Sequence, residues 1–336
     1  VPNDYDKFPN CSSLYFSNRE MQLDILRRDK ISRLEGLCAE HVFRALLIQP
    51  NFAKEAITQD WWFFRKKNGY GAIKLLFNRK LSILDIKLFD IFKSAGIRVT
   101  FLYFARKSQD FWHTTPVRLQ GPELRKTWFR RLGPQPIQLA VKQDDPHRQE
   151  KCIAFLEKRS LLFQSAVQRF AANVLIKKKA LWDIDAFVVY QDKLIAFEVK
   201  QKFPSQAGWF GINVGLVDLF SWLESVGIPV YHIILTKPVW REDFSAVEML
   251  EDKKYWPHSL WLGCRPTQLQ LQKQVRHMAP AKTSIHRQKP LAFYELPIPC
   301  LRILGSFLQA VPSLPKLLQG EELQAASFAA IPKLSL

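Results

Sequence analysis

The stretch Trp182-Asp183-Ile184-Asp185-Ala186-Phe187-Val188-Val189-Tyr190, followed after Gln191-Asp192 by Lys193-Leu194-Ile195-Ala196-Phe197-Glu198-Val199-Lys200, decides how this chain folds. Two apolar runs of strand length carry Asp, Glu and Lys in their interiors, where charge is costly unless it is used. Side chains alternate along a strand, so Ile195, Phe197 and Val199 share one face while Glu198 and Lys200 share the other. With Gln191 and Asp192 as a two-residue loop, the runs pair as a hairpin. Tyr190 then stands opposite Lys193, and Asp185 opposite Glu198. Directly opposed residues point to the same side of a sheet, so Asp185, Glu198 and Lys200 are expected to converge. A four-residue loop keeps this register and a three-residue loop breaks it.

Two carboxylates at cross-strand distance repel one another unless a cation lies between them. Oxygen donors suit a hard divalent ion, Mg²⁺ with Mn²⁺ as its substitute. A neighbouring lysine can orient the attacking water and neutralise charge growing on a phosphate. These parts point to hydrolysis of a phosphodiester. Asp185, twelve intervening residues, and Glu198-Val199-Lys200 resemble the D…(D/E)xK signature of the PD-(D/E)xK nuclease superfamily, its Holliday junction resolvase-like members above all. The likeness covers residues 148–240. It implies that Asp185, Glu198 and the backbone carbonyl of Val199 bind metal and that Lys200 assists the water. The proline that precedes the aspartate in the family signature is absent, since Ile184 stands there.

Residues 150–175 read as one helix, with Ile153, Leu156, Phe163, Val167, Phe170 and Val174 at spacings near three and four. The superfamily's first core helix often offers an acid to the metal. Glu157 is the candidate for that role here, with Glu150 second, against a solvated glutamate paired with basic neighbours. Lys177, Lys178 and Lys179 precede the Asp-bearing strand and are read as phosphate contacts, which give affinity without sequence reading. Gln201 and Lys202, directly after the Glu-x-Lys, are read as contacts to the scissile strand. Residues 208–215 read as loose, 216–226 as a second helix stopped by Gly227-Ile228-Pro229, and 230–235 as a strand buried on both faces. His232 inside that strand is read as a core histidine.

The chain has 336 residues, an apolar fraction of 47% and a net charge of +18. Residues 1–150 hold 26 basic and 16 acidic side chains, a net +10; 151–240 and 241–336 carry +4 each. That balance suits a polyanionic partner, here DNA ahead of RNA. Cys11, Cys38, Cys152, Cys264 and Cys300 are scattered and odd in number, which argues against a disulfide framework and for a reducing compartment. Seven dispersed histidines give no support to structural zinc. With no leader and no apolar run of about eighteen residues, the expectation is an intracellular protein, cytoplasmic or nucleoid-associated, with no membrane contact.

Residues 1–140 read as a separate mixed α/β unit. Helices are expected over 31–47 and 81–95, the second closed by Gly96, and a strand over 97–104. Trp61-Trp62-Phe63-Phe64-Arg65-Lys66-Lys67 reads as a core strand ending in a solvated turn. A second aromatic and basic cluster over 126–131 reads likewise. Gly133-Pro134-Gln135-Pro136 and Asp144-Asp145-Pro146 suggest a linker near 133–148. Beyond Trp240 the chain turns irregular, and its end, with Pro297-Ile298-Pro299, reads as an extended tail.

The expected fold is therefore α/β, a restriction-endonuclease-like core of mixed sheet flanked by helices over 148–240. An N-terminal mixed α/β domain over 1–140, with a role in target recognition, precedes it, and a partly irregular extension over 241–336 follows. The expected activity is metal-dependent endonucleolytic hydrolysis of DNA, with a homodimer as the natural way to make two cuts in a duplex. The rivals are a non-catalytic DNA-binding or assembly protein on the same fold and an RNA-directed nuclease.

Overall fold

A computed structural model describes residues 5–7, 16–48, 57–67, 69–119, 121–132, 138–140, 145–176, 181–269, 276–279, 291–307, 309 and 313–335. The chain divides into two compact units that do not follow chain order. Unit 1 is Val1–Leu34 with Glu55–Ala186, and unit 2 is Glu35–Lys54 with Phe187–Leu336. This differs from the three consecutive segments expected. Residues 148–186 group with the N-terminal part, and 241–336 group with the hairpin.

Unit 1 contains β1 (Tyr5–Lys7), α1 (Arg19–Arg27) and the start of α2 (Ile31–Leu47), which continues into unit 2. There follow β2 (Ile57–Thr58), β3 (Trp61–Lys66), β4 (Gly69–Leu76), α3 (Ile83–Ser94), β5 (Arg98–Ala105), β6 (Asp110–Thr114), β7 (Arg130–Arg131) and β8 (Gln138–Ala140). The unit closes with α4 (Pro146–Lys158), α5 (Leu162–Phe170) and β9 (Trp182–Ile184). A six-stranded mixed sheet runs β7-β6-β5-β4-β3-β9. Trp61, Phe63 and Phe101 face α3, whose Phe92 and Phe89 meet them edge-on or stacked. On the opposite face, Phe104 and Phe111 pack against Phe16 and, from α5, Phe163 and Phe170. The Trp61 run is thus a core strand whose last two residues, Arg65 and Lys66, reach solvent, as its pattern predicts. Ser82 caps α3 through a reciprocal box with Asp85, so the helix starts two residues later than the apolar spacing alone suggests.

The single helix expected over 150–175 is two. Ser160 adopts φ 58°, a left-handed conformation that ends α4 before α5 begins. Nothing in a serine announces that break.

Unit 2 holds the rest of α2, β10 (Ala186–Tyr190), β11 (Lys193–Lys202), β12 (Trp209–Asn213), α6 (Val214–Ser225), β13 (Val230–Thr236) and α7 (Ala246–Glu251). It ends with β14 (Leu260–Cys264), β15 (Arg276–Ala279), β16 (Leu291–Pro297), β17 (Arg302–Ser306) and α8 (Leu314–Gln319). Its main sheet runs β17-β14-β13-β11-β10, with β13 parallel to β11 and antiparallel to β14. Every residue of β13 is buried, as its unbroken apolar run predicts. Phe43 of α2 packs on Phe197 and Trp261 at 5.4 and 5.5 Å. Phe220 of α6 lies 6.4 Å from His232. Asn213 caps α6, and Gly227 at φ 87° follows its end.

Two expectations do not hold in unit 2. Residues 209–213 are not loose: they form β12, which pairs with β16 and β15 in a second sheet. The segment beyond Trp240 is not a tail. It supplies β14 and β17 to the main sheet and β16 to the second, its prolines standing at strand ends and caps. Both units are mixed α/β with mixed sheets flanked by helices. Among the described residues no helix is long and apolar enough to cross a membrane.

Candidate active site

Gln191 and Asp192 take φ 47° and 62°, the double left-handed geometry of a type I′ turn. Their two-residue loop sets Tyr190 opposite Lys193 and, counting pleats, Phe187 opposite Ala196. The two-residue loop expected from sequence is therefore present, and it joins neighbouring strands.

On β11, Glu198 and Lys200 lie one pleat apart on the same face, and Lys200 Nζ stands 2.5 Å from Glu198 Oε1. The glutamate side chain is 3% exposed and the lysine 28%, so a buried acid is handed to a cation that reaches water. Val199 is buried, its side chain turned to the opposite face. His232 on β13 is the cross-strand partner of Glu198. Its ring is buried, and that burial, with the charges of Lys202 and Lys200, pushes the imidazole well below its ordinary range. A neutral histidine thus backs the Glu198–Lys200 pair.

Gln201 and Lys202, read from sequence as contacts to a nucleic-acid strand, are turned inward. Gln201 donates to the Ala246 carbonyl at 3.1 Å, and Lys202 Nζ donates to the Gly211 carbonyl at 2.6 Å. Enclosure of its ammonium, with the nearby charge of Lys200, lowers Lys202 to about 8. It ties β12 to β11 rather than reaching outward. The Lys177, Lys178 and Lys179 triplet lies outside the described residues.

In unit 1, Asp185 follows β9 directly and is buried. Asp183 and Asp185 each bring a carboxylate oxygen to within 4.8 Å of the other. Asp183 also faces Arg33, at 3.5 Å. Asp183 is not among the site residues expected from sequence. The signal was present, because residues two apart on a strand share a face.

Glu157 does not join these acids. It stands exposed on α4 and accepts 2.6 and 3.1 Å hydrogen bonds from Arg19, which hold its carboxyl below the usual range. Glu150 likewise accepts hydrogen bonds from Arg27, at 2.6 and 3.2 Å. Helical periodicity placed both glutamates at an edge of α4, but their arginine partners lie more than a hundred residues away in sequence. No protein-family model matches the chain, and no curated protein matches it.

Proposed function

We propose that the protein is a Mg²⁺-dependent endonuclease that hydrolyses DNA phosphodiester bonds on a restriction-endonuclease-like core. The observation that carries this reading is the Glu198–Lys200 pair: a buried carboxylate on a central strand, one pleat from a lysine that reaches solvent. The sequence motif adds Asp185, which directly precedes β10 of the hairpin. The assigned donors are all oxygen, which fits a hard divalent ion. Glu198 and the Val199 carbonyl would hold it, with Asp185 as the second acid that the sequence motif assigns. When bound, the ion supplies positive charge against the phosphate oxygens.

The chain's own residues do the rest. Lys200, 2.5 Å from Glu198, would offer hydrogen bonds to the attacking water and to the phosphate oxygen on which charge grows. Neutral His232 adds no competing charge behind the pair. Lys202 anchors β12, leaving Lys200 as the outward-reaching lysine of this face.

Incubation with supercoiled plasmid, forked and four-way-junction DNA tests the proposal. Cutting of at least one substrate in Mg²⁺, its loss in EDTA and its recovery with Mn²⁺ are expected. Binding without cutting of any substrate would favour an assembly protein. Preference for RNA over matched DNA would change the substrate class.

A further inference from the structure

The chain's positive charge is not spread evenly. Unit 1 holds 31 Lys and Arg against 17 Asp and Glu, so it carries +14 of the total +18. Part of that excess is gathered at one end of its sheet. His113 on β6 stands opposite Arg130 on β7 and opposite Leu102 on β5. Opposed residues share a face, and alternation puts Arg98 and Thr100 of β5 on that face too. Thr100 Oγ1 meets Thr115 Oγ1 at 3.1 Å between them. Across β4 from Arg98 lie Gly71 and then Phe64, over whose ring Lys66 extends its ammonium at 5.5 Å.

Two adjacent arginines on β7 make the contrast. Arg131 points to the other face and is neutralised by Asp110 at 2.7 Å. Among the described residues, Arg130 and Arg98 make no hydrogen bond or ion pair, and both are exposed. His113 lies between them, and partial burial followed by the charges of Arg130 and Arg98 holds its imidazole below the ordinary value. Two guanidinium groups gathered around one imidazole, with no acid between them, repel one another. An anion seated there relieves the repulsion, and guanidinium forks match phosphate oxygens bidentately.

We infer that Arg98, His113 and Arg130 form a phosphate-binding face of unit 1 that holds the backbone of duplex DNA. The choice of a phosphodiester polymer rests on the nuclease reading, while the anion site itself rests on this cluster. Strands lie about 4.8 Å apart, so the face spans several strand widths and suits an extended polyanion better than a single small ion.

Fluorescence anisotropy of a labelled duplex, titrated with salt in EDTA, tests the inference without any cleavage step. The double variant Arg98→Gln/Arg130→Gln should bind about tenfold or more weakly at physiological salt. Its log–log salt slope should be shallower by about 2, near 0.9 for each phosphate no longer neutralised. Arg131→Gln, on the opposite face, should match the wild type. Unchanged affinity and slope in the double variant, with a native thermal melt, would overturn the inference, as would polyglutamate bound as tightly as DNA. A protein that loses DNA with the double variant yet never cuts in Mg²⁺ keeps this face and loses the nuclease reading. One that cuts equally well with and without both arginines does the reverse.

Discussion

Each unit sets a lysine of a strand against a buried carboxylate, but the two pairs are built differently. In unit 1, Lys74 and Asp85 are 6% and 7% exposed and 3.2 Å apart. Asp85 also accepts from Thr58, Trp61 and Ser82, and Lys74 also donates to Thr58 and to the Gln59 carbonyl. That network is closed: both charges are enclosed and wrapped in hydrogen bonds. In unit 2, Glu198 is just as buried, but Lys200 extends toward water. A closed network holds a fold together, whereas a buried acid with one side toward solvent is placed to meet something from outside.

Opening the closed network should have the largest effect on stability. Lys74→Met strands a buried aspartate and should cost about 3–5 kcal/mol, read as a lower urea midpoint, with no requirement that chemistry at Glu198 change. Acid should act on the same network. Burial pushes Asp85 up, but Lys74, Thr58, Ser82 and Trp61 outweigh it and leave its pKa below the ordinary 3.8. A depressed carboxylate contributes stability that is complete above 3.8 and lost as pH falls through the lower folded value. Asp85→Asn should therefore be less stable than wild type at neutral pH, with the gap narrowing below pH 3.8 in equilibrium denaturation. The smallest effect belongs to the turn that leads into the strand carrying the open pair. Asp192 sits at φ 62°, where glycine meets no Cβ penalty but costs chain entropy, so Asp192→Gly should shift stability by less than about 1 kcal/mol and leave cleavage intact. A loss of several kcal/mol there would contradict the turn geometry.

The hairpin, α2, β13 and the aromatic strand β3 were legible because period-two alternation, 3.6-residue spacing and turn residues act locally. The candidate pair Glu198 and Lys200 was legible for the same reason, since one strand fixes their common face. Partner choice over long distances was not. Nothing near Glu157 in sequence announces Arg19, and nothing near Lys202 announces the Gly211 carbonyl. β12 escaped notice because Gly208, Gly211 and Gly215 read as a loop, although its ladder with β16 supplies the pairing those residues do not advertise. β16 and β17 were hidden by neighbouring prolines that punctuate strand ends instead of abolishing strands.

Plasmid cleavage by wild type, Glu198→Gln and Lys200→Ala, run side by side in Mg²⁺, decides whether the open pair is a catalytic centre. The wild type should cut, and both variants should lose roughly 10²–10⁴-fold in rate, with near-native melting temperatures and duplex affinity retained. Cutting by either folded variant at the wild-type rate would contradict that role.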